Sequence, residues 1–137
     1  MVPWWLPTAQ VTKMIKDFKK KIQKEKSRSS DSFLEKRSIY LYKKYWPGKQ
    51  LNYHIFWSKK LKKSYGIYYP KKKEIRISSR MQKMPGWVLD YVIFHELVHL
   101  FVGKHNKKFW QRVKKYPKTE KAKGFLEGVD WQRKCYT

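Results

Sequence analysis

Three of the four histidines in this 137-residue sequence fall within one stretch of eleven, His95-Glu96-Leu97-Val98-His99-Leu100-Phe101-Val102-Gly103-Lys104-His105. Residues four apart on a helix stand one above the other, so His95 and His99 aim their imidazoles at one point. A helix stop at Gly103 would then let the chain turn and deliver His105 to the same place. Imidazole suits zinc. Three protein ligands with one open position are the arrangement of a catalytic ion, whereas structural sites close with four. Glu96 sits beside the first ligand and reaches a water near the ion without binding the ion itself. The chemistry this pattern predicts is hydrolysis of an amide with no covalent enzyme intermediate. Zinc would acidify a water and polarise the scissile carbonyl, and Glu96 would take the proton and return it to the leaving amine.

Two blander readings compete with this one. The histidines could be core residues satisfied by hydrogen bonds, but burying two of them and a glutamate in an apolar helix is costly without a shared partner. The site could also hold a purely structural metal. His54, alone in a strand-like segment, is expected to be an ordinary, partly buried histidine. Tyr65, Tyr68, Tyr69, Tyr91 and Arg76 are conceivable oxyanion stabilisers, and nothing in their spacing selects one. Cys135 is the single cysteine. It excludes an intrachain disulfide and a cysteine-based zinc site, and its thiol is expected to be inert unless the tail folds back onto the zinc.

The elements that must position these residues follow from periodicity. Thr8 can cap a helix to about Lys26, with Val11, Met14, Ile15, Phe18 and Ile22 on one face and lysines on the other. Ser32 with Glu35 resembles a capping box for a second helix to about Tyr45, stopped by Pro47 and Gly48. Phe33, Tyr40, Leu41 and Tyr45 are its expected buried side. Leu51 to Trp57, Tyr65 to Tyr69 and Glu74 to Ser79 read as strands, with a hairpin turn at Pro70 to Lys73 and a small antiparallel sheet as the result. Pro85 and Gly86 open an almost wholly apolar helix from Trp87 to Val102, the helix that carries His95, Glu96 and His99. Asn106 can cap a further helix with Phe109, Trp110 and Val113, ended by Pro117. A short helix from Glu120 to Leu126 closes the reading. The fold class is α+β: about three strands packed with N-terminal helices and an active-site helix, in a single domain spanning 1–137.

Composition bounds the partners. Lysine plus arginine number 34 against ten acids, a formal net charge of +24, with 41% hydrophobic residues. That excludes a compositionally disordered chain and favours phosphate backbones, anionic headgroups or acidic proteins as partners. Lysine dominates, so any nucleic-acid contact is expected to be backbone attraction rather than base readout. The stretch from Met1 to Leu6, broken by Pro3 and Pro7, lacks a signal peptide or membrane span, and a soluble, cytoplasmic protein without membrane insertion is expected. The competing functional class is a basic nucleic-acid-binding protein with a structural or vestigial zinc.

Tyr91-Val92-Ile93-Phe94-His95-Glu96-Leu97-Val98-His99-Leu100 followed by His105-Asn106-Lys107-Lys108-Phe109-Trp110 resembles the compact zinc metallopeptidases of the YgjP-like and SprT-like group. Glu74-Ile75-Arg76-Ile77-Ser78, Pro85 and Val88 to Tyr91 resemble the approach to that motif. The resemblance covers about Tyr65 to Val113. It implies a minimal zincin, with Zn2+ on His95, His99 and His105, Glu96 as catalytic base, and a peptide or protein as substrate. SprT-like members of the group include peptidases that digest proteins crosslinked to DNA, which suits the basic surface. The sequence departs from the group in two ways: before the strand stands only Ser64-Tyr65-Gly66 rather than a glycine- and cysteine-containing motif, and there is no zinc ribbon. In minimal zincins that use a glutamate as third ligand, Glu120 or Glu127 would replace His105. Two surface roles are also expected: Glu74 to Ser79 as a sheet edge that holds extended substrate by strand addition, and Lys13 to Lys26 as a polyanion-binding face.

Overall fold

An apolar run with no polar face must be covered on all sides, and the run around the histidines is. It forms α3, Gly86–Val98, whose Val88, Leu89, Ile93, Phe94, Leu97 and Val98 are buried to 1% exposure or less. Around it pack α2 (Asp31–Tyr45), α4 (Lys107–Val113), α5 (Thr119–Tyr136) and a three-stranded sheet. The structure is a computed structural model that describes residues 8–136, the side chains of residues 21–27, 135 and 136 excepted. The proline-broken N-terminal stretch, the Ile22 side chain and the Cys135 thiol lie outside the described residues.

The sheet is made of β1 (His54–Ser58), β2 (Gly66–Tyr69) and β3 (Glu74–Ser78), in the order β1-β3-β2. Strands β2 and β3 form the expected antiparallel hairpin, its turn held by the Lys73 amide donating to the Pro70 carbonyl (3.3 Å) with Lys73 at a left-handed φ of 52°. Strand β1, however, pairs with β3 in parallel, Ile55 opposite Ile75 and Trp57 opposite Ile77. The antiparallel sheet expected from sequence is therefore mixed. The chain leaves β1, skips one place to lay down β2, and returns β3 into the gap. This also corrects the expectation that Glu74 to Ser79 is an edge. Ile75 and Ile77 are both fully buried on the central strand, and the edge beside α3 is β2. Alternation shows which face of a strand is buried, but not which strands flank it.

Helix α2 is capped two residues before the expected capping box: the Ser30 hydroxyl accepts from the Phe33 amide (3.2 Å). Its buried residues are Leu34, Ser38 and Leu41, while Tyr40 is exposed beneath the Arg37 guanidinium. That guanidinium grips buried Asp90 of α3 with two hydrogen bonds, Nε to Oδ1 at 2.6 Å and Nη2 to Oδ2. The fork fixes α2 against the helix that carries the histidines, and a buried carboxylate is tolerated because it is fully paired. Pro47 and Gly48, the latter at φ 81°, end α2 as expected. The first helix, α1 (Thr8–Arg28), is less packed than its pattern predicts, since Met14, Ile15 and Phe18 are exposed. No helix among the described residues is long and apolar enough to cross a membrane.

Candidate metal centre

The last turn of α3 presents His95 and Glu96, and His99 follows at its C-cap. The helix ends at Val98, short of the expected Val102, and closes with tight turns: the Leu100 amide donates to Leu97 O (3.1 Å) and the Phe101 and Val102 amides to Val98 O (2.9 Å each). Gly103 is not in the left-handed region and its α-carbon faces open space, so the stop comes from these turns rather than from the glycine. A second tight turn, Asn106 N to Lys104 O (2.8 Å), folds His105 back toward the helix. Asn106 then caps α4 as expected, its side-chain oxygen accepting from the Phe109 amide (3.0 Å).

One ligand atom from each of His95, His99 and His105 lies within 4.8 Å of the others. Nε2 of His99 and Nε2 of His105 are 2.9 Å apart. Two nitrogens bound to one tetrahedral zinc at about 2.0–2.1 Å stand roughly 3.3 Å apart, so the imidazoles are spaced for a shared ion. Nδ1 of His99 lies 3.3 Å from the Val102 carbonyl oxygen, to which it can only donate, and that leaves Nε2 with a free lone pair for a metal. Phe109, fully buried, underlies all three rings with centroids 4.5 to 4.9 Å away. This floor fixes the ring orientations. The donor set is three imidazole nitrogens on an apolar support, and it fits a borderline-soft divalent cation such as zinc.

Electrostatics favour the ligating forms. Burial, then the neighbouring His99 and His105 and the Lys123 ammonium, push His95 down to about 3. Burial and His105 lower His99 as well, against the opposing Val102 and Gly103 carbonyls. Both imidazoles stay unprotonated, as metal binding requires. Glu96 is 5% exposed, and burial alone pushes its carboxyl up to about 8. A divalent cation held by the imidazoles would counter the rise at Glu96.

The three imidazoles and Glu96 open into a cleft of about 230 Å³ whose opposite wall is strand β2, with Gly66, Ile67 and Tyr68. An adjoining cavity of about 210 Å³ shares Gly66, His95 and Glu96 and adds Tyr65, Tyr91 and Leu126. Of the tyrosines singled out from sequence, Tyr68, Tyr65 and Tyr91 therefore border the site. Tyr69 and Arg76 instead pack on each other, and Tyr65 donates its hydroxyl to Asp130. His54 is exposed at the start of β1 rather than partly buried, and it is no part of the histidine cluster. Glu120 and Glu127 are exposed on α5, also outside the cluster. Gly66 escaped sequence reasoning. Its backbone passes so close to Glu96 that a β-carbon would meet Cγ of Glu96 at 3.1 Å. A lone glycine in a strand was the available signal.

The sequence from residue 6 to 128 matches the family model described as YgjP-like, metallopeptidase domain. The chain belongs to the YgjP-like metallopeptidase family. It is accordingly an enzyme of metal-dependent proteolysis, and its substrate is a peptide or protein. Among solved structures, the fold is similar to the metallopeptidase zymogen abylysin of Pyrococcus abyssi, at TM-score 0.60 and 22% identity over 72% of this chain and 92% of that one. It is also similar to the zymogen jannalysin of Methanocaldococcus jannaschii, at TM-score 0.55 and 17% identity over 72% and 94%. At these identities the likeness concerns the fold. No curated protein matches the chain in sequence.

Proposed function

We propose that this metallopeptidase is a zinc endopeptidase in which His95, His99 and His105 hold the ion and Glu96 is the general base. The observation that carries the reading is the convergence of three imidazoles beside a buried carboxyl, all facing one cleft. Zinc bound there would supply Lewis acidity, lowering the pKa of a water and polarising the scissile carbonyl. Glu96 moves the proton: a carboxylate oxygen accepts it from the attacking water and returns it to the leaving nitrogen. Among the described residues strand β2 is an edge of the sheet along the cleft, so an extended peptide can add to the sheet there with little side-chain selectivity.

A structural metal would want a fourth protein ligand, and among the described residues the cluster comprises three. That favours the enzymatic centre over a basic binding protein with a structural or vestigial zinc. The test is elemental analysis of protein purified without added metal, with a peptide-cleavage assay on the same samples. About one zinc per chain is expected, lost in His95→Ala. Glu96→Gln should retain the zinc while turnover falls by about 10²–10⁴-fold. Turnover preserved in a clean Glu96→Gln preparation would remove Glu96 from the mechanism. A protein that binds no zinc on titration would overturn the ligand assignment.

A further inference from the structure

Helix α1 leaves a large apolar face in water. Met14 is 54% exposed, Ile15 49% and Phe18 65%, and their three- and four-residue spacing places them in one stripe along the helix. Lys13, Lys16 and Lys20 repeat with the same period on the opposite side, Lys19 stands at the border of the stripe, and all four are exposed. Across Thr8–Arg28 the helix carries seven lysines and an arginine against Asp17 and Glu25. At its C-terminal end the Arg28 guanidinium donates to the Met84 carbonyl (3.1 Å), just ahead of α3, so the helix is fastened to the body of the enzyme. Its first part is amphipathic and strongly basic, and among the described residues Met14, Ile15 and Phe18 stay exposed on its apolar side.

We propose that α1 is a peripheral anchor that lies in the headgroup layer of an anionic lipid bilayer. The two halves of the helix select this occupant together. A nucleic acid would engage the lysines and leave Met14, Ile15 and Phe18 in water. A second copy of the chain would cover those three side chains but bring two lysine-rich helices side by side. An anionic leaflet satisfies both at once: the apolar stripe sinks to the acyl boundary, border lysines extend their amines to the phosphates, and the formal net charge of +24 draws the protein in from a distance. The helix lies on the surface rather than across it, since α1 is too polar to span. Peptide hydrolysis would then take place at a membrane surface.

The test is vesicle flotation of the full chain with phosphatidylcholine vesicles and with vesicles that also contain phosphatidylserine. Binding is expected only to the serine-containing vesicles, and to weaken with salt. Met14→Ser, Ile15→Ser and Phe18→Ser combined leave the charge unchanged and alter only exposed side chains. Circular dichroism should be preserved while vesicle affinity falls by about tenfold or more. Undiminished binding by this variant would overturn the proposal, because charge alone would then account for adsorption. So would duplex DNA binding more tightly than the vesicles, or a parent dimer in sedimentation velocity that the triple variant dissolves. Failure of the parent to bind anionic vesicles at low salt would overturn it directly.

Discussion

A methyl group at position 66 would sit 3.1 Å from Cγ of Glu96 and Cγ1 of Val92, and 3.2 Å from Oε1 of Glu96. Those distances are tighter than ordinary contact, yet Gly66 is not in the left-handed region, so alanine meets no backbone objection. Its methyl must displace the Glu96 side chain or push β2 away from α3. A displacement of a fraction of an ångström is small for stability and large for proton transfer, whose geometry is the stricter of the two. Gly66→Ala is therefore expected to lose about 1–2 kcal/mol of stability and roughly 10- to 100-fold in kcat. Zinc content should not change, because the three atoms nearest the methyl belong to Glu96 and Val92 rather than to a histidine. Steady-state kinetics with metal analysis checks this. Parental kcat in the variant would show that Glu96 is not confined by β2. The same scale explains why His99 is ready to ligate, since the Val102 carbonyl fixes its tautomer before any ion arrives.

At the scale of elements, the centre depends on how α3 ends and α4 begins. Asn106 caps α4 through the Phe109 amide, and Phe109 is the ring on which all three imidazoles rest. Asn106→Ala should cost about 1 kcal/mol, as loss of an N-cap usually does, and should also weaken zinc binding by freeing His105 and its floor. Ser30→Ala removes the cap of α2, remote from the histidines, and should cost about the same stability while leaving zinc affinity unchanged. Chemical denaturation and competitive zinc titration of the two variants separate the effects; equal zinc affinities would show that the cap does not position the site. What could be read from sequence follows the same division. The Asn106 cap and the Pro70–Lys73 turn are local signals found where the sequence places them, and the spacing of the three histidines brings them together. Helix periodicity locates the helices but puts Met14, Ile15, Phe18 and Tyr40 on buried faces that are exposed. The parallel pairing of β1 with β3, the central position of Ile75 and Ile77, and the approach of Gly66 to Glu96 are decided by partners distant in sequence, which periodicity does not encode. Tyr40, on the expected buried side of α2, lies exposed under the Arg37 guanidinium, an environment in which an aromatic face is equally well satisfied.

At the scale of the molecule, the question is how much of the fold depends on the ion. The core runs through Leu34, Ile55, Ile75, Ile77, Val88, Ile93, Phe94 and Leu97, joining α2, the sheet and α3, while the turns that carry His99 and His105 add only Val102 to it, with Leu100 and Phe101 packed against its edge. The Arg37–Asp90 fork also ties α2 to α3, away from the histidines. Zinc removal should therefore leave a folded protein with a loosened end, unlike small zinc domains that unfold without their metal. A ligand that binds only the folded state still stabilises it by mass action, by about 2.7 kcal/mol at a hundredfold excess over Kd. For a chain of this length that corresponds to roughly 10 °C in Tm. The expected result is a cooperative thermal transition in chelator, a Tm that climbs with the logarithm of free zinc, and no such climb in His95→Ala. Amide hydrogen exchange should localise the difference to residues 99–110, with protection in β3 and the body of α3 unaffected. Loss of cooperative unfolding in chelator would mean that the ion organises the core itself, and that the apolar packing of α3 is insufficient to hold the fold alone.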